Sequence, residues 1–320
     1  MQKSTGASLN SFALLKWIIF IVIVTLAALI PVWTDNSGTL NLLFLVYLFI
    51  TLSQSWNILA GMAGQISLGH AAFFGIGALV MRALWFGAMP YLIAMLVAGA
   101  IAALCALIVG VPTFRLRGVY FSIGTLALAE ALRITVGNVL SNITTMPGRV
   151  IANYDLAERY YIALAVALVT MAATFFLLRS RLCLGFFAIR EDEQAAEATG
   201  VRLLWHKLAA SGIASFFAGL AGAIFAFYQV SYYPSAPFSP TWTFDPLLIT
   251  FVGGVGTLIG PVVGALFFVY VREQLTLIPE LRNLNIIIFG ILFIVVVLAL
   301  PGGLMDIWER GIKWWSARRK

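Results

Sequence analysis

The stretch whose residue types most suggest chemistry is GQISLGHA, residues 64–71, in which two glycines have the spacing of a phosphate-binding loop. It lacks the Lys and the Ser or Thr that would hold phosphate and magnesium, and it follows an apolar helix rather than a strand. No other stretch has metal-ligand spacing or pairs Ser, His and a carboxylate on polar elements. We therefore predict that this chain binds no nucleotide and no metal and is not an enzyme.

Four polar side chains around this stretch lie within an otherwise apolar, glycine-rich interval: Asn57, Gln65, Ser67 and His70. Polar groups in a lipid environment need partners, so they must face protein or a water-filled path. We treat these four as candidate residues of a translocation pathway. For His70 alone, a hydrogen-bonded packing role is the commoner one for a histidine in a membrane.

The composition is that of an integral membrane protein. Of the 320 residues, 62% are hydrophobic and only 10% are charged, against about 25% charged in a typical soluble domain. The apolar runs are long enough for helices rather than barrel strands. The net charge of +7 reflects topology, since 14 of the 20 Lys and Arg lie in the N-terminus, the 115–117 turn, the 179–207 loop and the tail. We therefore predict no nucleic-acid partner.

The apolar pattern predicts an all-α integral membrane protein, a polytopic bundle of about 8–10 spans including broken half-helices. Residues 137–159 and 231–241 are placed on the external side, and the basic loop 179–207 and basic tail 306–320 on the cytoplasmic side. The loop and the tail can both be cytoplasmic only if residues 244–271 enter and leave the membrane on one side, as two short helices broken near 256–261. The whole chain is one transmembrane domain with full spans at about 17–32, 40–59, 61–78, 91–111, 120–136, 160–178, 208–228 and 284–300.

The 179–207 loop is the only long polar interval, and residues 191–199 within it predict a short helix. Its acids lie at the N-terminal end, where the helix dipole favours them, and Gly200 can close the C-terminus. A helix of this length is unstable alone and must pack on something. The loop is either a solvated connection between spans or a docking element for a cytoplasmic protein.

Glycines recur where two backbones could approach closely. Gly256, Gly260 and Gly264 repeat every four residues, which on a helix gives a bare stripe, although Pro261 favours a helix start there. Simple helix packing explains such a stripe equally well. We predict close packing at seven glycines: Gly61, Gly64, Gly69, Gly253, Gly256, Gly260 and Gly264. Glu130 and Arg133, three residues apart in one span, predict a structural ion pair on one helix face.

Three segments, in order along most of the chain, resemble the signatures of LivM-type permeases, the membrane subunits of ATP-driven branched-chain amino acid importers. The segments are NILAGMAGQISLGHAAFFGIGA (57–78), AIREDEQAAEATG (188–200) and FVGGVGTLIGPVVGA (251–265). Where members commonly have a Thr-Gly-Gly-rich segment, this chain has SNITTMPGRVIA (141–152) on the predicted external side. This departure leaves open which binding protein docks and which substrate is carried: the resemblance implies leucine, isoleucine or valine as the commonest outcome, and related importers take urea, short amides or other small acids.

The resemblance implies a helical permease in the inner membrane of a bacterial cell, paired with a second, LivH-like permease. Two cytoplasmic ATPases and a periplasmic substrate-binding protein complete such a complex. This chain then binds no cofactor, ATP and magnesium being held by the ATPases, and its other surroundings are membrane lipid. Residues 191–200 become the coupling helix, and the residues assigned to ATPase docking are Arg190, Glu191, Glu193, Ala195, Ala196 and Gly200.

Two other classes of function compete with this interpretation. A self-contained secondary transporter with a broken-helix substrate site would use an ion gradient without any ATPase. An intramembrane enzyme would need catalytic polar groups that the sequence does not contain. Stable cytoplasmic ATPase partners would distinguish the importer from the secondary transporter.

Overall fold

The chain folds into a helical bundle. The computed structural model describes residues 5–34 and 36–277, and beyond them residues 287–288, 290–291, 294–295, 298 and 302–306. The helices are α1 (Thr5–Trp33), α2 (Ser37–Trp56, extended by a π-helical turn, Asn57–Met62), α3 (His70–Phe86), α4 (Tyr91–Thr113), α5 (Val119–Val139), α6 (Gly148–Ile151), α7 (Leu156–Leu178), α8 (Arg181–Glu191), α9 (Glu193–Ala198), α10 (Leu203–Tyr228), α11 (Thr241–Gly253) and α12 (Gly260–Leu277). Two short strands, β1 (Thr144–Thr145) and β2 (Ser231–Tyr232), and a 3-10 turn, Ala236–Phe238, complete the described elements.

Five helices in the described part of the chain are long and apolar enough to cross a membrane: Ser37–Met62, Tyr91–Thr113, Val119–Val139, Leu156–Leu178 and Leu203–Tyr228. They confirm the predicted polytopic helical class. The predicted last span, 284–300, is described only at scattered residues, and the tail beyond Asp306 lies outside the described residues.

The core is built around α10, which packs on α2, α3 and α4. Small residues allow these backbones to approach closely. A Cβ added at Gly77 of α3 would overlap the backbone of Gly219 on α10, and one at Gly222 would overlap the carbonyl of Phe74. These glycines therefore place the backbones of α3 and α10 directly against each other.

The predicted span 61–78 is wrong. The helix that starts at Ser37 ends at Met62 in a π-helical turn, residues 63–69 form a loop, and α3 begins only at His70. Gly64 has a φ of +69°, which leaves the right-handed helical region. Since the loop is mostly buried by protein, its irregular backbone avoids lipid.

The predicted break in 244–271 is confirmed. α11 ends at Gly253, α12 begins at Gly260, and the two pack on each other. Gly254 and Gly256 in the intervening loop have φ values of +131° and +79°. Gly256 therefore lies off the helix, so the predicted stripe is wrong at that position.

The two polar ends of the bundle are built differently. The predicted helix 191–199 is wrong at its start, because Glu191 ends α8 and Asp192, in extended conformation, caps α9 by accepting from the Gln194 and Ala195 amides. Gly200, with a φ of +90°, follows α9. At the opposite end, β1 and β2 join residues 137–159 and 231–241, with Thr144 opposite Tyr232.

Candidate functional site

The inner face of α9 is held to the bundle by Glu193. Its Oε1 accepts a hydrogen bond from Lys207 Nζ at 2.6 Å and one from Gln65 Nε2 at 3.2 Å. Lys207 is only 4% exposed at the start of α10. Burial raises the pKa of Glu193, but the hydrogen bond and charge of Lys207, helped by Gln65 and Arg117, outweigh burial and leave that pKa below its usual value. The carboxylate is therefore ionised near neutral pH.

The end of α8 is held by Arg190. Its Nη1 donates to the carbonyl of Gly61 at 2.5 Å, in the π-helical turn that ends α2. A Cβ at Gly256 would come within 2.7 Å of the same nitrogen, and one at Gly64 within 2.9 Å of Arg190 Cα. Both glycines also have positive φ, so any side chain there would meet both a clash and a strained backbone.

Asn57 joins the π-helical turn to the loop between α11 and α12. Its Nδ2 donates to the Thr257 carbonyl at 2.8 Å, and its Oδ1 accepts from the Gly256 amide at 2.7 Å. Gln54, which lies on α2 one helical turn before Asn57, donates to the carbonyl of Leu258 in the same loop. These bonds satisfy backbone groups that the broken helix leaves free. Loop 254–259 is thus fixed to the same turn that Arg190 contacts.

Ser67 and His70 lie inside the protein. The Ser67 hydroxyl accepts from the Gly69 amide at 3.2 Å, and His70 Nε2 lies 2.6 Å from Ser55 Oγ. Since the Ser55 hydroxyl donates to the Ala214 carbonyl at 2.8 Å, His70 Nε2 must carry the proton in this bond. Together with Asn57, both are buried hydrogen-bonded groups, and their role in a pathway stays a prediction.

The outer face of α9 is bare in the described chain. Ala196 is 3% exposed and packs inward, whereas Gln194, Ala195 and Glu197 are exposed. The residues predicted to dock an ATPase therefore divide between two faces: Glu193 and Ala196 and the tip of Arg190 contact the bundle, and Glu191, Ala195 and Gly200 are exposed.

The remaining predicted glycines also lie against other segments. A Cβ at Gly69 would overlap the Thr125 carbonyl of α5, and one at Gly264 the Ile249 carbonyl of α11. Gly253 and Gly260 face each other across the α11–α12 break. The predicted ion pair is present, with Arg133 Nε 2.8 Å from Glu130 Oε2 and Arg133 Nη2 2.5 Å from Glu130 Oε1.

The sequence singled out Glu193 but did not predict which residue it would bond to. Lys207 counted only as a basic loop residue, and nothing local marks it as the partner of Glu193, fourteen positions earlier. The one available signal was Asp192, whose side chain type is preferred as an N-cap and indicates where α9 begins. Among the described residues, no group of three or more His, Cys, Asp and Glu could hold a metal ion.

Residues 38–297 match the family described as "Branched-chain amino acid transport system / permease component". The chain is 26% identical to the high-affinity branched-chain amino acid transport permease LivM of Escherichia coli, over 92% of this chain and 76% of the relative. It is 26% identical to the Salmonella typhimurium LivM, covering 89% and 74%.

A shorter match, 29% identical, covers 37% of this chain and 37% of a probable LivM permease from Methanocaldococcus jannaschii. No solved structure matches the chain. The family match covers far more than half of the sequence and includes the glycine-rich segments 57–78 and 251–265 and the α8–α9 segment. The chain belongs to the permease components of branched-chain amino acid transport systems, the multi-pass membrane subunits of such ATP-binding cassette transporters.

Proposed function

We propose that α8 and α9 are the coupling element of an importer and that they carry movement of a cytoplasmic ATPase into the bundle. In this proposal two ATPases hold ATP and magnesium, a second LivH-like permease completes the membrane part, and a periplasmic binding protein delivers the substrate. The family's description as a permease component favours this over a self-contained secondary transporter.

The observation that carries the proposal is the division of α9 into two faces. Gln194, Ala195 and Glu197 are exposed and offer a surface to a cytoplasmic protein. On the other side, Glu193 bonds to both α10 and loop 63–69 through Lys207 and Gln65. A helix this short derives its stability from such contacts, so displacing it must displace what it holds.

The proposed mechanism is rigid-body gating. The ATPases close on ATP, press on the outer face of α9 and shift α8–α9 as one lever. Glu193 then moves loop 63–69, and Arg190 moves the π-helical turn and loop 254–259 through Gly61 and Gly256. Both loops lie at helix ends within the bundle, where backbone can rearrange without unpacking a whole span.

We propose leucine, isoleucine or valine as the substrate class, because the relatives named above are branched-chain amino acid permeases. Uptake of labelled leucine, with unlabelled valine, urea, short amides and small acids as competitors, tests this proposal. Competition by an amide or urea but not by valine would assign the other substrate class.

The coupling proposal is tested by variants on the two faces of α9 in the assembled transporter. Ala195→Trp on the outer face should abolish co-purification of the ATPases and therefore uptake. Glu193→Lys on the inner face should leave the ATPases bound and hydrolysing ATP while uptake is lost, since it places two cations together at Lys207. Glu193→Lys with Lys207→Glu should restore uptake. Normal ATP-driven uptake by the single Glu193→Lys variant would refute the proposal.

A further inference from the structure

Among the described spans, α5 breaks the relation between polarity and burial. The two most apolar of the five are Tyr91–Thr113 and Leu156–Leu178, with mean hydropathies of 2.9 and 2.3. Only 33% and 28% of the most apolar stretch of each is buried. The more polar Ser37–Met62 and Leu203–Tyr228, at 1.7 and 1.8, are 83% and 72% buried. Lipid-exposed helices should be the apolar ones, and these four follow that rule.

The fifth span, Val119–Val139, has the lowest mean hydropathy of the five, 1.4, and is the least buried, at 17%. Of the five described spans it is therefore the least suited to face hydrocarbon over most of its surface. The described residues leave this surface open, so protein or water must cover α5 in the working transporter.

The Glu130–Arg133 ion pair strengthens this conclusion. It lies about midway along α5, and its side chains are 37% and 40% exposed. Charged side chains at such depth are rare and normally face protein or a water-filled cavity. On an ideal helix Glu130 points away from the buried residues Phe121, Thr125 and Ala129.

The residues around the ion pair on the outer face of α5 indicate that another helix, rather than lipid or water, packs there. Ile123 and Ile134 are 57% and 51% exposed, and Ala127 and Ala131, four residues apart, are exposed between them. Small residues at this spacing let another helix approach closely. A wide aqueous path does not suit isoleucines of this exposure, and lipid does not suit the ion pair.

We propose that the outer face of α5, formed by Ile123, Ala127, Ala131 and Ile134 with the Glu130–Arg133 pair at its edge, packs against the second permease subunit. The inference rests on the proposed function for the existence of that subunit. The ion pair is already satisfied by two internal hydrogen bonds, so it can enter a protein interface without a new counter-charge.

The inner side of α5 gives this interface a mechanical consequence. Ser122 Oγ donates to the Ile66 carbonyl at 2.6 Å, and Thr125 Oγ1 accepts from the Leu68 amide at 3.1 Å. Gly69 lies directly on the Thr125 backbone. Loop 63–69, held by Glu193 on one side, is thus held on the other by the helix that contacts the second permease.

Photo-crosslinking in the assembled transporter, in native membranes, tests the interface. A photo-crosslinking amino acid in place of Ala131 should give an adduct with a different permease chain, identified by mass spectrometry. The matched control is Ile108 on α4, 65% exposed on an apolar span, which should give lipid adducts only. Lipid adducts alone at position 131, or an adduct between two copies of this chain, would overturn the proposal.

Two further measurements distinguish a protein interface on the outer face of α5 from a water-filled path. An Ala131→Cys chain in which Cys105 and Cys183 are replaced by Ser should resist membrane-impermeant thiol reagents, whereas rapid labelling would indicate a water path and overturn the interface. Glu130→Ala should lower recovery of the second permease several-fold by leaving Arg133 unpaired, and Glu130→Gln with Arg133→Met should recover it. ATPase co-purification in the same preparations tests the proposed function separately, because ATPases retained without the 131 adduct would refute only the interface.

Discussion

Removing the Glu193 carboxylate should release α9 from the bundle. The bond from Lys207 Nζ to Glu193 Oε1 is 2.6 Å long, and the side chain of Lys207 is only 5% exposed. Losing one partner of a buried, hydrogen-bonded charge pair leaves the other unpaired. Because Glu193 is itself 31% exposed, we expect the lower part of the usual range, about 2–3 kcal/mol, for Glu193→Ala.

This free energy can be measured as local opening of α9. Ala196 is 3% exposed against the bundle, so a cysteine placed there reacts with a thiol reagent only when α9 detaches. With Cys105 and Cys183 replaced, Glu193→Ala should raise the labelling rate at position 196 by roughly 30- to 140-fold. Glu197→Ala, on the exposed face of the same helix, should change the opening free energy by less than about 0.5 kcal/mol.

The pH dependence supplies an independent check. The pKa of Glu193 is lowered in the folded chain, so its carboxylate contributes stability above its usual pKa of about 4.3 and loses that contribution as pH falls through the lowered value. The ratio of the labelling rates of Glu193→Ala and the parent should therefore be constant near neutral pH, fall as the pH drops below about 4.3, and reach one only below the lowered pKa of Glu193. Equal labelling of the two at pH 7 would refute the assignment of Glu193 as the anchor of α9.

The glycine contacts make two further predictions. Gly256→Ala, at a φ of +79° and against the Arg190 guanidinium, should cost about 1–3 kcal/mol and reduce uptake. The control Gly118→Ala, at a φ of +55° but in open space, should cost only about 1 kcal/mol and retain uptake; thermal unfolding and leucine uptake measure both. Gly77→Leu should prevent α3 from packing on α10 and abolish membrane expression, and Gly137→Ala, with its nearest neighbour at 3.5 Å, should express normally.

The sequence predicted the helical class and the break between α11 and α12 because both follow from bulk properties. Long apolar runs predict spans, and a charge pattern that places the tail on the wrong side forces a segment to turn back. Gly254 and Gly256 with positive φ then realise that turn. Such properties need no knowledge of which residues meet.

The loop at 63–69 could not be predicted in the same way. A glycine-rich apolar run looks alike whether it forms a helix or a loop buried by protein. What decides is whether distant groups satisfy its backbone and side chains, and here they do: Trp56 Nε1 donates to the Ser67 carbonyl, and Ser122 donates to that of Ile66. Gln65 meets Glu193, 128 positions away, a contact that no local pattern encodes.

The start of α9 was mispredicted for a local reason. The run Glu191, Asp192, Glu193 places three acids where a helix dipole favours negative charge, so charge alone does not fix the first residue. Side-chain length does: the Asp192 carboxylate reaches the Gln194 and Ala195 amides at 2.8 and 3.0 Å and ends α8 as it starts α9. Glu193 is thereby turned to the bundle and Glu191 to solvent.

The convergence of glycines supports the proposed coupling role of α8–α9, because it brings these two helices against the ends of several spans. Arg190 contacts the backbone of Gly61, at the end of α2, and lies against Gly256, between α11 and α12. Glu193 contacts Gln65, in the loop that precedes α3. The Arg190 contacts reach backbone, which does not yield by side-chain rotation, so we expect the end of α2 and loop 254–259 to follow a displacement of α8–α9. At Gly61, Gly64 and Gly256 no side chain stands between Arg190 and the neighbouring backbone, as the proposed coupling through a stiff link requires.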